Sequence, residues 1–472
     1  ILPLSHSTQL PLQDLDDEIV IDSLPMKGQL PPWLEGTLVR NGPAKFHFGN
    51  QTISHWFDGL AMLHAFTFGQ GQVSYRNKFL RSEVYFQTTQ KGDLKFMGFA
   101  QDPCKSIFQR LFAHFFPSLT PHFIQNANVN VMKIAEKYVA LTETPLPVCF
   151  DPHTLETLGV LNFQDPLCKS DCFESAHPHH DRLRGETINY QTDLGLKCRY
   201  SFYTVSDQGP AKRKPFFEMK VDKASYMHTF ALTENYVVMV EYPLVLNPLD
   251  LLMKGGGFIT QFKWEPERNT RFHLIDRVKG LKIRSYDTDA FFSFHHVNAY
   301  EEKETIVLDL IKYPDAQIVF GYPPLEQIRT LERFRLDIKR PAISQKTISK
   351  TLLELPRIYY QKYNASAYQY VYGVGFKYPE SAHDSIPILK INVSTGNVQE
   401  WKEPGGLAGE PIFIPRPEAR EEDDGVILTV VTQECKNDSY LLVLDARDLK
   451  EIARSEAIHL IPYGLHGMFF HL

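Results

Sequence analysis

The chain runs to 472 residues with 43% apolar and 12% aromatic side chains, enough for a large ordered core, and it contains no low-complexity tract. A formal net charge of −6, without any cluster of Lys and Arg interleaved with aromatics, excludes a nucleic-acid-binding footprint. The six cysteines (Cys104, Cys149, Cys168, Cys172, Cys198 and Cys435) are few and irregularly spaced, which fits a reducing compartment; Cys168 and Cys172 lack the second pair that a cysteine metal site needs.

Residues 1–30 are polar and broken by Pro3, Pro11 and Pro25, predicting an extended arm over the body. The start has no charged-then-apolar signal pattern, and no run of about 18 apolar residues occurs, so the expectation is a chain neither secreted by that route nor membrane-spanning. Beyond Leu38 the text becomes short strands separated by Gly, Pro, Asn and Asp clusters at roughly 8–15-residue spacing, the pattern of an all-β sandwich, barrel or propeller. Clear strands are Tyr236–Glu241, Thr305–Ile311, Val426–Thr432 and Tyr440–Leu444. Three segments, 148–159, 390–398 and 443–453, repeat the order strand, polar turn, strand; recurring hairpins of this kind suit propeller blades, although any antiparallel protein contains them.

One helix interrupts this pattern. Asp102 is placed to cap it and Pro103 to open it, after which Ile107, Phe108, Leu111, Phe112, Phe115 and Phe116 fall on one face, until Pro117 ends it. Such a face ordinarily packs on its own protein. With Leu119, Phe123 and Ile124 it is also apolar enough to lie in one leaflet of a bilayer. A glycine-rich loop over 251–259 is a second candidate for that surface.

The stretch Phe292–Glu301 reads as a buried strand with two histidines, His295 and His296, in its middle. Three other stretches set histidines in similarly marked surroundings: Ser175–His180, with His177, His179 and His180; Ser225–Phe230, with His228; and Ile461–Gly467, with His466. Others of the 18 histidines, such as His6, His47, His114 and His383, stand in polar or loop contexts. Four histidines this far apart in the chain belong to different supersecondary units, which a propeller can bring to one axis. Adjacent strand residues face opposite ways, so only one of His295 and His296 can point to a shared centre. Neutral imidazoles suit borderline metals, including iron, and leave a divalent charge that nearby carboxylates would offset. Three glutamates stand beside prolines in apolar surroundings: Glu143-Thr144-Pro145, Glu354-Leu355-Pro356 and Glu410-Pro411.

The motifs Arg40-Asn41-Gly42-Pro43, His55-Trp56-Phe57-Asp58-Gly59, Thr142-Glu143-Thr144, Ala176-His177-Pro178-His179, Phe294-His295-His296-Val297-Asn298, Glu410-Pro411-Ile412-Phe413, Glu421-Glu422-Asp423-Asp424-Gly425 and Leu465-His466-Gly467 together resemble the carotenoid cleavage oxygenase family, in family order, from about Leu30 to His466. The resemblance implies an all-β, seven-bladed propeller over residues 1–472, with loops and a few short helices capping the metal face. It implies Fe(2+) held by His177, His228, His295 and His466, with Glu143, Glu354 and Glu410 orienting His228, His295 and His466 and leaving His177 without a carboxylate. Thr142 and Tyr226 become candidate cavity residues. The segment 102–124 becomes the entrance by which a lipophilic polyene passes from a membrane surface to a cytoplasmic, peripherally attached enzyme.

The implied reaction is scission of a carotenoid or apocarotenoid C=C bond by O2 to two carbonyl products. No Gly-rich phosphate loop or Cys-x-x-Cys-His motif signals a further cofactor, and no obligate protein partner is evident. Alternatives on the same scaffold are stilbene-type cleavage, which the hydrophobic 107–124 segment disfavours, and non-oxidative retinoid ester isomerisation. A retinoid- or carotenoid-binding protein without turnover is the alternative of another class.

Overall fold

The computed structural model describes residues 13–49, 51–53, 55–91, 126–167, 172–194, 197–247, 258–320, 328–377 and 384–472. Seven antiparallel sheets of four to six strands follow one another along the chain and form the blades of a seven-bladed β-propeller. The first is built on Gly36–Lys45, Leu60–Gly69 and Gln72–Phe79. Each of the next five starts again from its own first strand, at Asn130–Ile134, Cys172–Glu174, Ala231–Leu232, His296–Glu302 and Leu353–Arg357. The seventh centres on Gly425–Gln433 and Asp438–Asp445.

The two ends of the chain lock into blades that the rest of the chain has already built. Gly467–Phe470 pairs with Gly36–Lys45 in the first blade, and Met26–Gly28 pairs with Glu451–Ser455 in the seventh. The predicted arm is therefore partly strand: Val20–Ile21 also pairs with Gln72–Phe79. Residues 1–12 lie outside the described residues, as do the predicted helix and entrance segment 102–124 and the 251–257 part of the glycine-rich loop.

The local chemistry of the hairpins explains the weak repeat in the sequence. Asp151 Oδ1 accepts from the amides of His153 and Thr154, Asn392 Oδ1 accepts from Ser394 and Thr395, and Asp445 Oδ1 accepts from Arg447. Four residues on, Leu155, Gly396 and Leu449 each adopt positive φ, at 59°, 78° and 56°. Their amides return to the carbonyls of Asp151, Asn392 and Asp445, each at 2.8 Å. This is a side-chain-nucleated turn closed by a left-handed residue. The same device closes Asp276–Gly280, where Gly280 has φ 65°, a hairpin that the sequence reading did not single out because its strands carry mixed polarity.

Strand faces alternate where one side meets solvent. Gln72–Phe79 buries every second residue, whereas the central strand Gly425–Gln433 is buried throughout. Aromatic side chains fill the wedges between blades: Phe334 lies 5.0 Å from Phe272 and 5.5 Å from Phe291, ring centre to ring centre. Such pairs add about 0.5–1.5 kcal/mol each beyond their buried area. One described helix, Glu83–Lys91, has no counterpart in the sequence reading.

Candidate metal centre

Each of the four predicted histidines stands just ahead of a strand of a blade. His177 lies between Cys172–Glu174 and His179–Asp181, and His228 lies between Ala224–Ser225 and Ala231–Leu232. His295 immediately precedes His296–Glu302, and His466 immediately precedes Gly467–Phe470. The predicted strand over 292–301 thus begins only at His296. Phe292 makes an isolated bridge to Tyr313, and the chain leaves the ladder before re-entering it. That break frees His295 from strand alternation and turns its ring toward the other three.

The four rings meet. Their nearest ligand nitrogens lie within 4.8 Å of one another, and among the described residues they form the one group of three or more His, Cys, Asp or Glu side chains placed to hold a metal ion. His177 Nε2 and His228 Nε2 are 2.9 Å apart. Ring centres are 4.4 Å apart for His177 and His466, and 5.2 Å for both His228–His295 and His295–His466, with steep interplanar angles.

Behind the rings stand the three predicted glutamates. His228 Nδ1 meets Glu143 Oε1, His295 Nδ1 meets Glu354 Oε2, and His466 Nδ1 meets Glu410 Oε1, each at 2.7 Å. A carboxylate accepting from Nδ1–H fixes the tautomer and leaves the Nε2 lone pair pointing inward. His295 Nε2 is buried with no hydrogen-bond partner, as expected for an atom that donates its lone pair to a cation. The donor set therefore fits a borderline divalent metal, iron among them. Among the described residues no carboxylate meets His177.

Burial and mutual proximity lower the pKa values of His177 and His466. Burial first, then the neighbouring His466, His228 and His295, drives the His177 pKa well below its usual value. Burial brings His466 down to about 4 although Glu410 pulls it upward. Burial alone would raise Glu410, but Arg357, His466 and Arg40 hold it well below the carboxylate range.

The supporting groups differ from one carboxylate to the next. Glu410 accepts from Arg40 Nη1 at 2.9 Å, Arg357 Nε at 2.7 Å and the Gly467 amide at 2.9 Å. Glu354 accepts from the Tyr313 hydroxyl and the Leu355 amide. Glu143 accepts from the Tyr226 hydroxyl at 2.9 Å. Tyr226 is fully buried, and its hydroxyl donates to that carboxylate. Thr142 does line a small cavity, together with Phe163, Glu174, Ser175 and Asn189.

The neighbouring histidines point elsewhere. His296 Nε2 sits 2.8 Å from the Tyr242 hydroxyl, His179 Nδ1 2.9 Å from the Tyr360 hydroxyl, and His180 Nε2 2.9 Å from Asp207. Sequence reasoning missed Arg357 and Tyr313, which nothing in their local text marks. Arg40 belonged to a quoted motif without a role. That motif also packs the His466 loop: the Asn41 amide donates to His466 O at 2.8 Å, and a Cβ on Gly42 would lie 2.7 Å from Gly464 Cα.

The whole chain resembles known proteins. The model of the family described as retinal pigment epithelial membrane protein matches residues 12–471. The β,β-carotene 15,15'-dioxygenase of Gallus gallus is 33% identical, over 94% of this chain and 94% of its own length. The mitochondrial carotenoid-cleaving dioxygenase of Homo sapiens is 30% identical, over 94% of this chain and 87% of its own. A crystal structure of cobalt-substituted Synechocystis ACO superposes with a TM-score of 0.86 at 26% identity, covering 98% of each chain.

Proposed function

Because the chain belongs to the family of the retinal pigment epithelial membrane protein and the carotenoid oxygenases, we propose that it is a non-haem iron(II) dioxygenase that cleaves a C=C bond of a carotenoid or apocarotenoid with O2, giving two aldehyde or ketone products. The observation that carries this reading is the convergence of His177, His228, His295 and His466, three of them backed by buried carboxylates.

In this reading the four Nε2 atoms hold the iron, and Glu143, Glu354 and Glu410 orient three of the rings and offset the ion's charge. The chemistry that iron(II) supplies when bound is the activation of dioxygen; with both oxygen atoms entering the two carbonyls, the reaction balances without an outside reductant. The Phe294 ring, edge-on to His228 at 5.5 Å, gives an apolar wall beside the centre and helps to keep water from it. A polyene offers many similar double bonds, so the choice among them rests on how the chain positions the substrate. The amphipathic 107–124 segment is the proposed contact with the membrane that stores such a substrate. No described helix is long and apolar enough to cross a membrane.

The test is incubation with β-carotene, a β-apocarotenal, a hydroxystilbene and a retinyl ester under labelled O2, followed by product mass analysis. Two labelled carbonyl fragments from a carotenoid or apocarotenoid are expected. Cleavage of the stilbene alone, isomerised retinoid without label, or no turnover of any substrate by the iron-loaded protein would overturn the reading.

A further inference from the structure

His177 stands apart in the cluster: three imidazoles are held by carboxylates, and this one is held through its backbone. The Ser175 hydroxyl donates to His228 O at 2.6 Å and accepts from the His177 amide at 3.0 Å, so one side chain ties together the two loops that carry His177 and His228. The two carbonyls on either side of that link are held as well. Asn189 Nδ2 donates to Ser175 O at 3.0 Å, and Asn130 Nδ2 donates to Ala176 O at 2.9 Å. Ser175, Asn130 and Asn189 are all buried, where a polar group keeps its place only by making such bonds.

The clasp is itself anchored. Asn41 Nδ2 donates to Asn130 O at 3.0 Å and to Ala127 O at 2.8 Å, and the His466 amide donates to Val129 O at 3.1 Å. The segment 126–130 thus touches the His177 loop through Asn130 and the His466 loop through its backbone. Asn126 and Asn128, four and two residues before Asn130, both donate to Gly59 O, in the Trp56-Phe57-Asp58-Gly59 stretch. Two motifs without a chemical role of their own, around Asn41 and Gly59, are in this way part of one frame behind the metal ligands.

We propose that Ser175, with Asn130 and Asn189, is the positioning device for the carboxylate-free ligand His177: it fixes the backbone at Ser175–His177 so that the ring arrives at the centre with its rotation already set. Three hydrogen bonds to two successive peptide groups leave that backbone little freedom, and a ligand held before the metal arrives loses less entropy on binding it. The inference rests on the ligand assignment made above.

The experiment is a cobalt(II) titration of the metal-free full-length protein, monitored by the visible bands of the bound ion, for wild type, Ser175→Ala, His177→Ala and the double variant, with thermal melts of each metal-free form. Loss of a group that orients a metal ligand typically costs about 10–100-fold in affinity. Ser175→Ala is expected to weaken cobalt binding to that extent and to shift the bands, whereas in the His177→Ala background the same change should have no further effect, since the ligand it positions is gone. Ser175→Thr keeps the hydroxyl, so it should retain affinity and spectrum.

Equal weakening by Ser175→Ala in both backgrounds, or none in the wild type, would overturn the proposal, because either result means the serine does not act through His177. If Ser175→Ala does not fold, Asn189→Ala, which removes the bond to Ser175 O, takes its place in the same cycle. Should His177→Ala bind cobalt as wild type does, the ligand assignment itself fails and takes this inference with it; that outcome is read from the single variant and is distinct from the others.

Discussion

Glu410 Oε1 lies 2.7 Å from His466 Nδ1 while the same carboxylate takes a hydrogen bond from each of two arginines, Arg40 and Arg357. Glu143 has the same 2.7 Å relation to His228, yet its other partner is the neutral phenol of Tyr226. The two carboxylates do one job for their imidazoles and different jobs for the fold.

Glu410→Gln and Glu143→Gln should each lower metal affinity by about 10–100-fold, since each replaces the charged acceptor that fixes a ligand's tautomer with a weaker neutral amide. Their effects on stability should part. Glu410→Gln strands two cationic groups, one of them Arg40 at 4% exposure, and is expected to cost about 3–5 kcal/mol. Glu143→Gln leaves a neutral hydroxyl and should cost about 1–3 kcal/mol. Urea melts of the metal-free proteins measure the difference; equal losses would contradict it.

His295 and His296 are neighbours with separate tasks. His295→Ala should lose bound iron and turnover, whereas His296→Gln should retain iron at the wild-type ratio, because His296 meets the Tyr242 hydroxyl and not the cluster. Metal analysis after gel filtration reads this directly. Iron loss in both variants would mean that the doublet is assigned wrongly.

Acid should destabilise the fold in a defined window. Burial is the main cause that lowers His64 and His296 to about 3 and His179 and His466 to about 4. In the unfolded chain these groups titrate near 6.5. Below that pH the unfolded state takes up protons that the folded state refuses, so stability is full above about 6.5 and falls as pH drops toward 4. Each such histidine contributes a slope of up to about 1.4 kcal/mol per pH unit. Denaturant midpoints between pH 7 and 4.5 test this, and a flat profile across the window would exclude it.

Chelation should abolish turnover and lower the melting temperature, and added iron(II) should restore both. A ligand present at about 1,000 times its Kd stabilises the folded state by about 4 kcal/mol. Calorimetry with and without chelator measures that increment; an unchanged melting temperature with full activity would show that the cluster holds no working metal.

The four histidine-bearing stretches were legible because each sets its histidine among residues that are apolar or glycine- and proline-marked, where an unemployed imidazole would be costly; which histidine of each group to choose came from the family resemblance. The glutamates were legible for the same reason. The helix predicted from Asp102 to Pro117, and the rest of the 102–124 segment, lie outside the described residues. The start of the strand at His296 was not legible, because apolar periodicity continues through Phe292 and Phe294 while the backbone leaves the ladder. That the Tyr226 hydroxyl turns to Glu143 was not legible either, because it depends on packing between residues far apart in the chain.

The sequence by itself determined the class of fold, through short alternating strands and the Asx-initiated hairpins at Asp151, Asn392 and Asp445, and it determined the residue types of the site, since local patterns carry both. The tertiary structure alone decided that the four rings converge, that Arg40 and Arg357 neutralise Glu410, and that Ser175, Asn130 and Asn189 hold the loop of His177. Those relations join residues far apart in the chain, and the choice among neighbouring side chains depends on backbone direction and on which buried polar group is left to satisfy; no local pattern records either.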